Sequence, residues 1–164
     1  MHYAAYGSNL HPLRLTERIA SARLVTTGFL PNWSLHFNKR SKDKSGKCTI
    51  RSGGAGVHVA LFDMSAEDKL VLDKIEGLGD GYSEVEFSLP CVGECTAYVA
   101  AESHIDDSLM PYDWYKELVL LGGRSHGFPN DYLSRIDALP ACQDPDRDRR
   151  VKGWQTVELV RAGT

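Results

Sequence analysis

The spacing of apolar and polar residues changes along the chain, and the period distinguishes strands from helices. Tyr3-Ala4-Ala5-Tyr6 reads as a short strand that runs into the turn formers Gly7-Ser8-Asn9, after which Pro12 opens a helix. Trp33, Leu35 and Phe37 alternate with Ser34, His36 and Asn38, the period of a strand with one buried face, until the polar stretch Ser41 to Lys47 breaks it. Cys48 to Arg51 and Val57 to Phe62 flank Ser52-Gly53-Gly54-Ala55-Gly56, which predicts a hairpin closed by glycines that tolerate positive φ. A phosphate-cradling loop is the other reading of those glycines, but the lysine it needs is missing and no helical pattern follows.

Ser65-Ala66-Glu67-Asp68 resembles an N-cap with an acid three positions on, and Leu70, Val71, Leu72 and Ile75 predict one buried side for the helix that follows. Gly77 ends it. Val85, Phe87 and Leu89 alternate with Glu84, Glu86 and Ser88, and a turn from Pro90 to Gly93 leads to a strand from Cys95 to Ala100. A helix is predicted from Tyr112 to Leu121, stopped by Gly122-Gly123, and another from Asn130 to Ala138 between Pro129 and Pro140. Gln143 to Arg150 alternates acid and base as a solvated loop would, and Trp154 to Val160 reads as a last strand. Strands dominate and hairpin-like links outnumber long crossovers. The expectation is one α+β domain over residues 1–164, with a small, mainly antiparallel β-barrel and peripheral helices.

Charge and composition narrow the function classes. With 19 basic and 22 acidic residues the formal net charge is -3, so no global positive field draws the chain onto nucleic acid or an anionic membrane. No run approaches the roughly 18 apolar residues of a membrane span, and Met1 to Tyr6 lacks the pattern of a secretory signal, so a cytoplasmic location is expected. The four cysteines are too few for a disulfide scaffold, and Cys91 and Cys95 have three residues between them rather than the two of a zinc knuckle. None of the six histidines forms a His-Glu-x-x-His pair, so no metal site is expected.

Two segments carry candidate chemistry. Ser8 lies in a turn after a strand, as a nucleophile would, yet Asn9-Leu10 follow it and Gly-x-Ser-x-Gly is absent. The same loop exposes backbone N–H groups ahead of a helix, a ready site for a carboxylate or a developing oxyanion. Glu76 occupies the last turn of its helix, where the negative dipole end, the like charge of Asp73 and the apolar Leu72 all disfavour a bare carboxylate. A carboxylate in such a place is suited to exchanging a proton with a substrate, although an exposed, frayed helix end accounts for the spacing too.

These residues carry a resemblance. Tyr3-Ala4-Ala5-Tyr6-Gly7-Ser8-Asn9-Leu10 resembles the opening motif of the γ-glutamyl cyclotransferase family. Leu72-Asp73-Lys74-Ile75-Glu76-Gly77 followed by Gly81-Tyr82 is similar to the family's catalytic segment. A third match runs from Tyr115-Lys116-Glu117-Leu118 through Gly122 to Gly127-Phe128-Pro129 and Tyr132-Leu133. The resemblance implies attack of a γ-glutamyl α-amine on its own γ-carbonyl, releasing 5-oxoproline and a free amine, with no cofactor. It implies Glu76 as the general acid and base, the Tyr6-Gly7-Ser8-Asn9-Leu10 loop as substrate holder, and Tyr82 and Tyr115 as pocket walls. The partner is then a small γ-glutamyl molecule, and the assembly a monomer or homodimer. A non-catalytic binding module of the same fold is the alternative. The link from Glu76 to Tyr82 is one residue shorter than the family pattern, and Arg40 to Lys47 and the tail after Pro140 match nothing in it.

Overall fold

A computed structural model describes residues 1–163. The chain opens with β1 (His2–Ala5), α1 (Pro12–Thr16), β2 (Arg23–Leu30), β3 (Trp33–Arg40), β4 (Gly46–Ser52) and β5 (Val57–Asp63). Then come α2 (Ala66–Glu76), β6 (Tyr82–Leu89), β7 (Gly93–Ala100), α3 (Asp113–Ser125), α4 (Asn130–Asp137) and α5 (Arg147–Ala162). This is the expected α+β class. Five strands form one sheet in the order β2-β5-β1-β7-β6, antiparallel except where β1 meets β7. The short, apolar β1 runs through its middle, with Tyr3, Ala4 and Ala5 buried.

The expected barrel is not closed. β2 and β6 end the five-stranded sheet, and β3 and β4 pair as a separate two-stranded sheet. Where β4 comes beside β7, the Ala100 N–H donates to the Thr49 hydroxyl at 2.9 Å, so a side chain takes a donor that a continuous ladder would use. The expected hairpin of residues 48–51 with 57–62 is also replaced: β4 pairs with β3, and β5 pairs with β1 and β2. The glycine-rich link is tied instead to the start of β3, with Gly53 N–H donating to Asn32 O and Gly56 N–H to Trp33 O. β2 is an additional strand; Leu24, Val25 and Phe29 remain exposed on it and its register slips between Leu24 and Thr26, so the alternation that announces a strand is missing.

α2 buries Lys69 and Leu72 rather than a full apolar side, leaving Leu70, Val71 and Ile75 exposed. The Lys69 stem takes the inner position because its ammonium meets Asp73, meets Glu84 at 2.8 Å, and stands 5.1 Å above the Tyr98 ring. α3 does not stop at Gly122-Gly123 but runs through both. A Cβ on Gly122 would lie 2.4 Å from Leu10 Cβ, so the missing side chain lets the helix lie directly on the loop after β1.

The stretch read as a solvated loop and a last strand is instead the approach to α5 and the helix itself. Asp146 caps it by accepting from the Arg149 N–H at 2.9 Å. Gly153, Val157 and Val160 recur at helical spacing and bury one face, with Val157 and Val160 beside Leu118 and Leu121 of α3. Asp144, just before the helix, is fully buried and accepts from Arg149 and from the Trp114 indole.

Candidate active site

β1 delivers the chain into a tight turn in which the Leu10 N–H donates to Gly7 O at 3.0 Å. The amides of Gly7, Ser8 and Asn9 find no acceptor among the described residues, so three N–H groups of the loop are left unused. Gly7 sits so close to Cys48 that an added Cβ would lie 3.0 Å from the Cys48 Cβ. α2 ends beside this loop: Gly77 adopts φ 74°, a left-handed cap that a glycine takes without strain, and Leu78 N–H closes the turn on Asp73 O at 2.9 Å. Glu76 is the last helical residue before that cap.

The two segments meet. Asn9 Nδ2 donates to Glu76 Oε1 at 2.9 Å and lies 3.4 Å from the Tyr3 hydroxyl, while Arg18 Nη1 stands 3.8 Å from Glu76 Oε1 and donates to Asn9 Oδ1 at 3.3 Å. The Glu76 side chain is 21% exposed, so one edge stays open to an incoming molecule. Asp73, expected as a like charge acting on Glu76, is instead held by Lys69 and by the Tyr98 hydroxyl at 2.6 Å.

Glu76 and the loop border a small cavity of about 30 Å³, also walled by Tyr3, Tyr6, Cys48, Tyr82, Tyr98 and Tyr115. The phenols are mostly committed: Tyr6 donates to Tyr98 O, Tyr82 donates to Cys48 O at 2.7 Å, and the Tyr115 oxygen accepts from the Cys48 N–H at 3.1 Å. Burial pushes all five tyrosines up and the Cys48 thiol to about 12, so these walls remain neutral. Glu76 is the one carboxylate on the cavity. Outside it, sharing Ser8, Glu76, Tyr82 and Tyr115, opens a chamber of about 200 Å³ that adds Arg18, Lys39 and Lys47.

Of the residues singled out in the sequence, Tyr6, Gly7, Ser8, Asn9, Glu76, Tyr82 and Tyr115 come together here. Leu10 does not line the cavity; its side chain is buried against Gly122 and its carbonyl is bonded to His126 at 2.7 Å. Among the described residues, Ser8 has no hydrogen-bonded base and no histidine lines either space. Arg18, Lys39, Cys48 and Tyr98 had no motif to announce them, and Tyr3, which opens the motif of the loop, was given no role there. Among the described residues, no three His, Cys, Asp or Glu side chains stand close enough to hold a metal ion.

The AIG2-like family matches residues 56–136. The gamma-glutamylcyclotransferases of Bos taurus and Homo sapiens are each 28% identical to this chain over 148 residues, covering 84% of it and 77% of their own length. A solved structure of a gamma-glutamyl cyclotransferase superposes with a TM-score of 0.83 at 22% identity, over 97% of this chain and 98% of that one. An uncharacterized human protein follows with 0.80 at 23%, over 96% and 97%. At those identities the superpositions bear on the fold, and they extend the likeness across the loop after β1 and α5, outside the family match. Sequence relatives, family match and shared architecture agree in the likeness they support, which is to the γ-glutamyl cyclotransferase-like, AIG2-like family.

Proposed function

We propose that this protein is an enzyme that converts a γ-glutamyl amide to 5-oxoproline and the free amine, with Glu76 as general acid and base. The observation that carries the reading is the meeting of a lone carboxylate with a loop of unused amides, joined by the Asn9 to Glu76 hydrogen bond. The gamma-glutamylcyclotransferase relatives support it.

In this mechanism Glu76 takes a proton from the substrate α-ammonium, and the freed amine attacks the γ-carbonyl of the same molecule. A carbon–nitrogen bond closes the five-membered ring while the carbonyl oxygen becomes an oxyanion, which the amides of Gly7, Ser8 and Asn9 receive. Collapse breaks the amide bond, Glu76 returns its proton to the departing nitrogen, and the second proton left on the ring nitrogen passes to the released amine, which departs as an ammonium. Because attack is intramolecular, the protein has chiefly to fold the substrate into an attack geometry and move one proton. The neutral tyrosine walls suit that work, shaping the cavity without offering a competing base.

The test is release of 5-oxoproline from a panel of γ-glutamyl amides by the native chain and by Glu76→Gln, which keeps the shape but cannot accept a proton. Turnover of at least one substrate, reduced about 10²- to 10⁴-fold in the variant, is expected. A fully active Glu76→Gln protein, or a silent panel, overturns the proposal.

A further inference from the structure

The turn that carries the unused amides is held at both ends. On its entry side β1 pairs Ala5 with Ala60, and the Tyr6 hydroxyl donates to Tyr98 O. On its exit side the restraints converge on Leu10. Its N–H closes the turn on Gly7 O at 3.0 Å, its side chain is 1% exposed against Gly122, and its carbonyl meets His126 Nε2 at 2.7 Å across 116 positions of chain. A carbonyl oxygen can only accept, so Nε2 carries the ring proton, and gain or loss of a proton at Nδ1 leaves this bond in place.

The end of α3 presents that imidazole in a fixed pose. Gly127 adopts φ 64°, Phe128 N–H reaches back to Gly123 O at 3.0 Å, and Gly127 N–H meets Arg124 O at 3.0 Å, which closes the helix in a left-handed cap. Phe128 is buried, and its ring lies 5.6 Å from that of His126 at 33°. His126 lines neither the inner cavity nor the outer chamber, so it reaches the site through Leu10 and not by touching substrate.

A donor anchored in this way sets where the turn can lie, and the turn's own donors act on a charge that exists only in the transition state. Removing one such donor costs about 10²- to 10³-fold in kcat, and displacing it costs part of that. We propose that His126 is a positioning residue: by holding Leu10 O it aims the amides of Gly7, Ser8 and Asn9 at the developing oxyanion. This rests on the cyclotransferase reading and deepens it, extending the working parts of the site to the end of α3.

The experiment measures steady-state 5-oxoproline release by the full chain and three variants, on a γ-glutamyl amide that the native chain turns over, with native folding of each checked by circular dichroism. His126→Phe keeps a planar ring beside Phe128 but has no donor. His126→Gln carries an amide N–H at about the reach of Nε2, and His126→Asn carries one that stops at the reach of Nδ1. In His126→Phe and His126→Asn, kcat is expected to fall about tenfold with KM little changed, and His126→Gln to recover most of the loss.

A purely structural role would lower the Tm of the variants and leave kcat per folded molecule untouched. Native kcat in folded His126→Phe, a loss expressed in KM alone, or a His126→Gln protein no better than His126→Asn overturns the inference and leaves the cyclotransferase reading intact. Should His126→Phe not fold, His126→Gln against His126→Asn decides by the same criterion. A native chain that releases no 5-oxoproline from the whole panel overturns that reading and the inference with it.

Discussion

Asn9 Nδ2 lies 2.9 Å from Glu76 Oε1 across 67 positions of chain, and Asn9 itself is 4% exposed. A charge-assisted hydrogen bond so sheltered from water fixes the carboxylate over the loop rather than leaving it to sweep through solvent. It also makes Asn9 the hinge between the two segments that carry the proposed chemistry.

Asn9→Ala removes this donor and leaves Arg18 at 3.8 Å as the group facing Glu76. Hydrogen bonds to charged groups contribute about 1.5–3 kcal/mol, so kcat/KM should fall roughly 10- to 100-fold. Asn9→Asp should be worse, because it sets a second carboxylate against the first. Steady-state 5-oxoproline release decides it; unchanged kinetics in Asn9→Ala would detach Glu76 orientation from this bond.

Gly122→Ala sets two effects against each other. Alanine favours a helix interior by about 1 kcal/mol over glycine. The new Cβ, however, would lie 2.4 Å from Leu10 Cβ and 3.0 Å from the His11 nitrogen, and overpacking of this kind costs about 1–3 kcal/mol. Backbone and a buried stem cannot step aside, so the clash should win, giving a Tm lower by a few degrees. A thermal melt showing a stabilised variant would refute that balance.

What the sequence disclosed depended on whether a residue's role was local. Gly77 ends α2 and Pro12 opens α1 as read, because caps and proline act on their own turn. Glu76 and the Tyr6 to Asn9 loop were legible as a motif. Lys69 was hidden because a buried cation matched to Asp73, Glu84 and Tyr98 depends on three distant partners. Gly122-Gly123 resembled a helix stop because glycine's use as a close-contact surface looks the same in one dimension as its use as a cap. The α5 segment resembled a loop because charged residues fill its first turn, whereas the small apolar face of Gly153, Val157 and Val160 gains meaning only against α3.

Tyr82→Phe separates a structural phenol from a chemical one. The hydroxyl donates to Cys48 O at 2.7 Å in a buried setting, so its loss removes a sheltered hydrogen bond and should lower stability by about 1 kcal/mol. Burial pushes the phenol well above its ordinary value, so it stays protonated across any usable assay range. The shape of the kcat pH profile should therefore match that of the native enzyme even where its height differs. Loss of a limb in the variant would instead mark Tyr82 as a proton-transfer group.

Asp144→Asn tests how α5 is anchored and supplies a pH dependence of known sign. Burial by itself pushes the Asp144 carboxyl up, but hydrogen bonds from Arg149, the Asp146 N–H and the Trp114 indole outweigh it and hold the group below the usual carboxylate range. A folded-state value below the unfolded one stabilises the fold above the unfolded pKa of about 4, and that contribution disappears as pH falls through the folded value. At neutral pH the variant replaces charged hydrogen bonds to Arg149 with neutral ones, and because the guanidinium left behind is 34% exposed the cost is about 1.5–3 kcal/mol. The Tm gap between native and variant chains should therefore be widest near pH 7 and narrow steadily below about pH 4, because the native chain falls toward a variant whose amide does not titrate. A gap that stays constant from neutral to strongly acidic solution would show that Asp144 holds α5 by shape and neutral hydrogen bonds rather than by its charge.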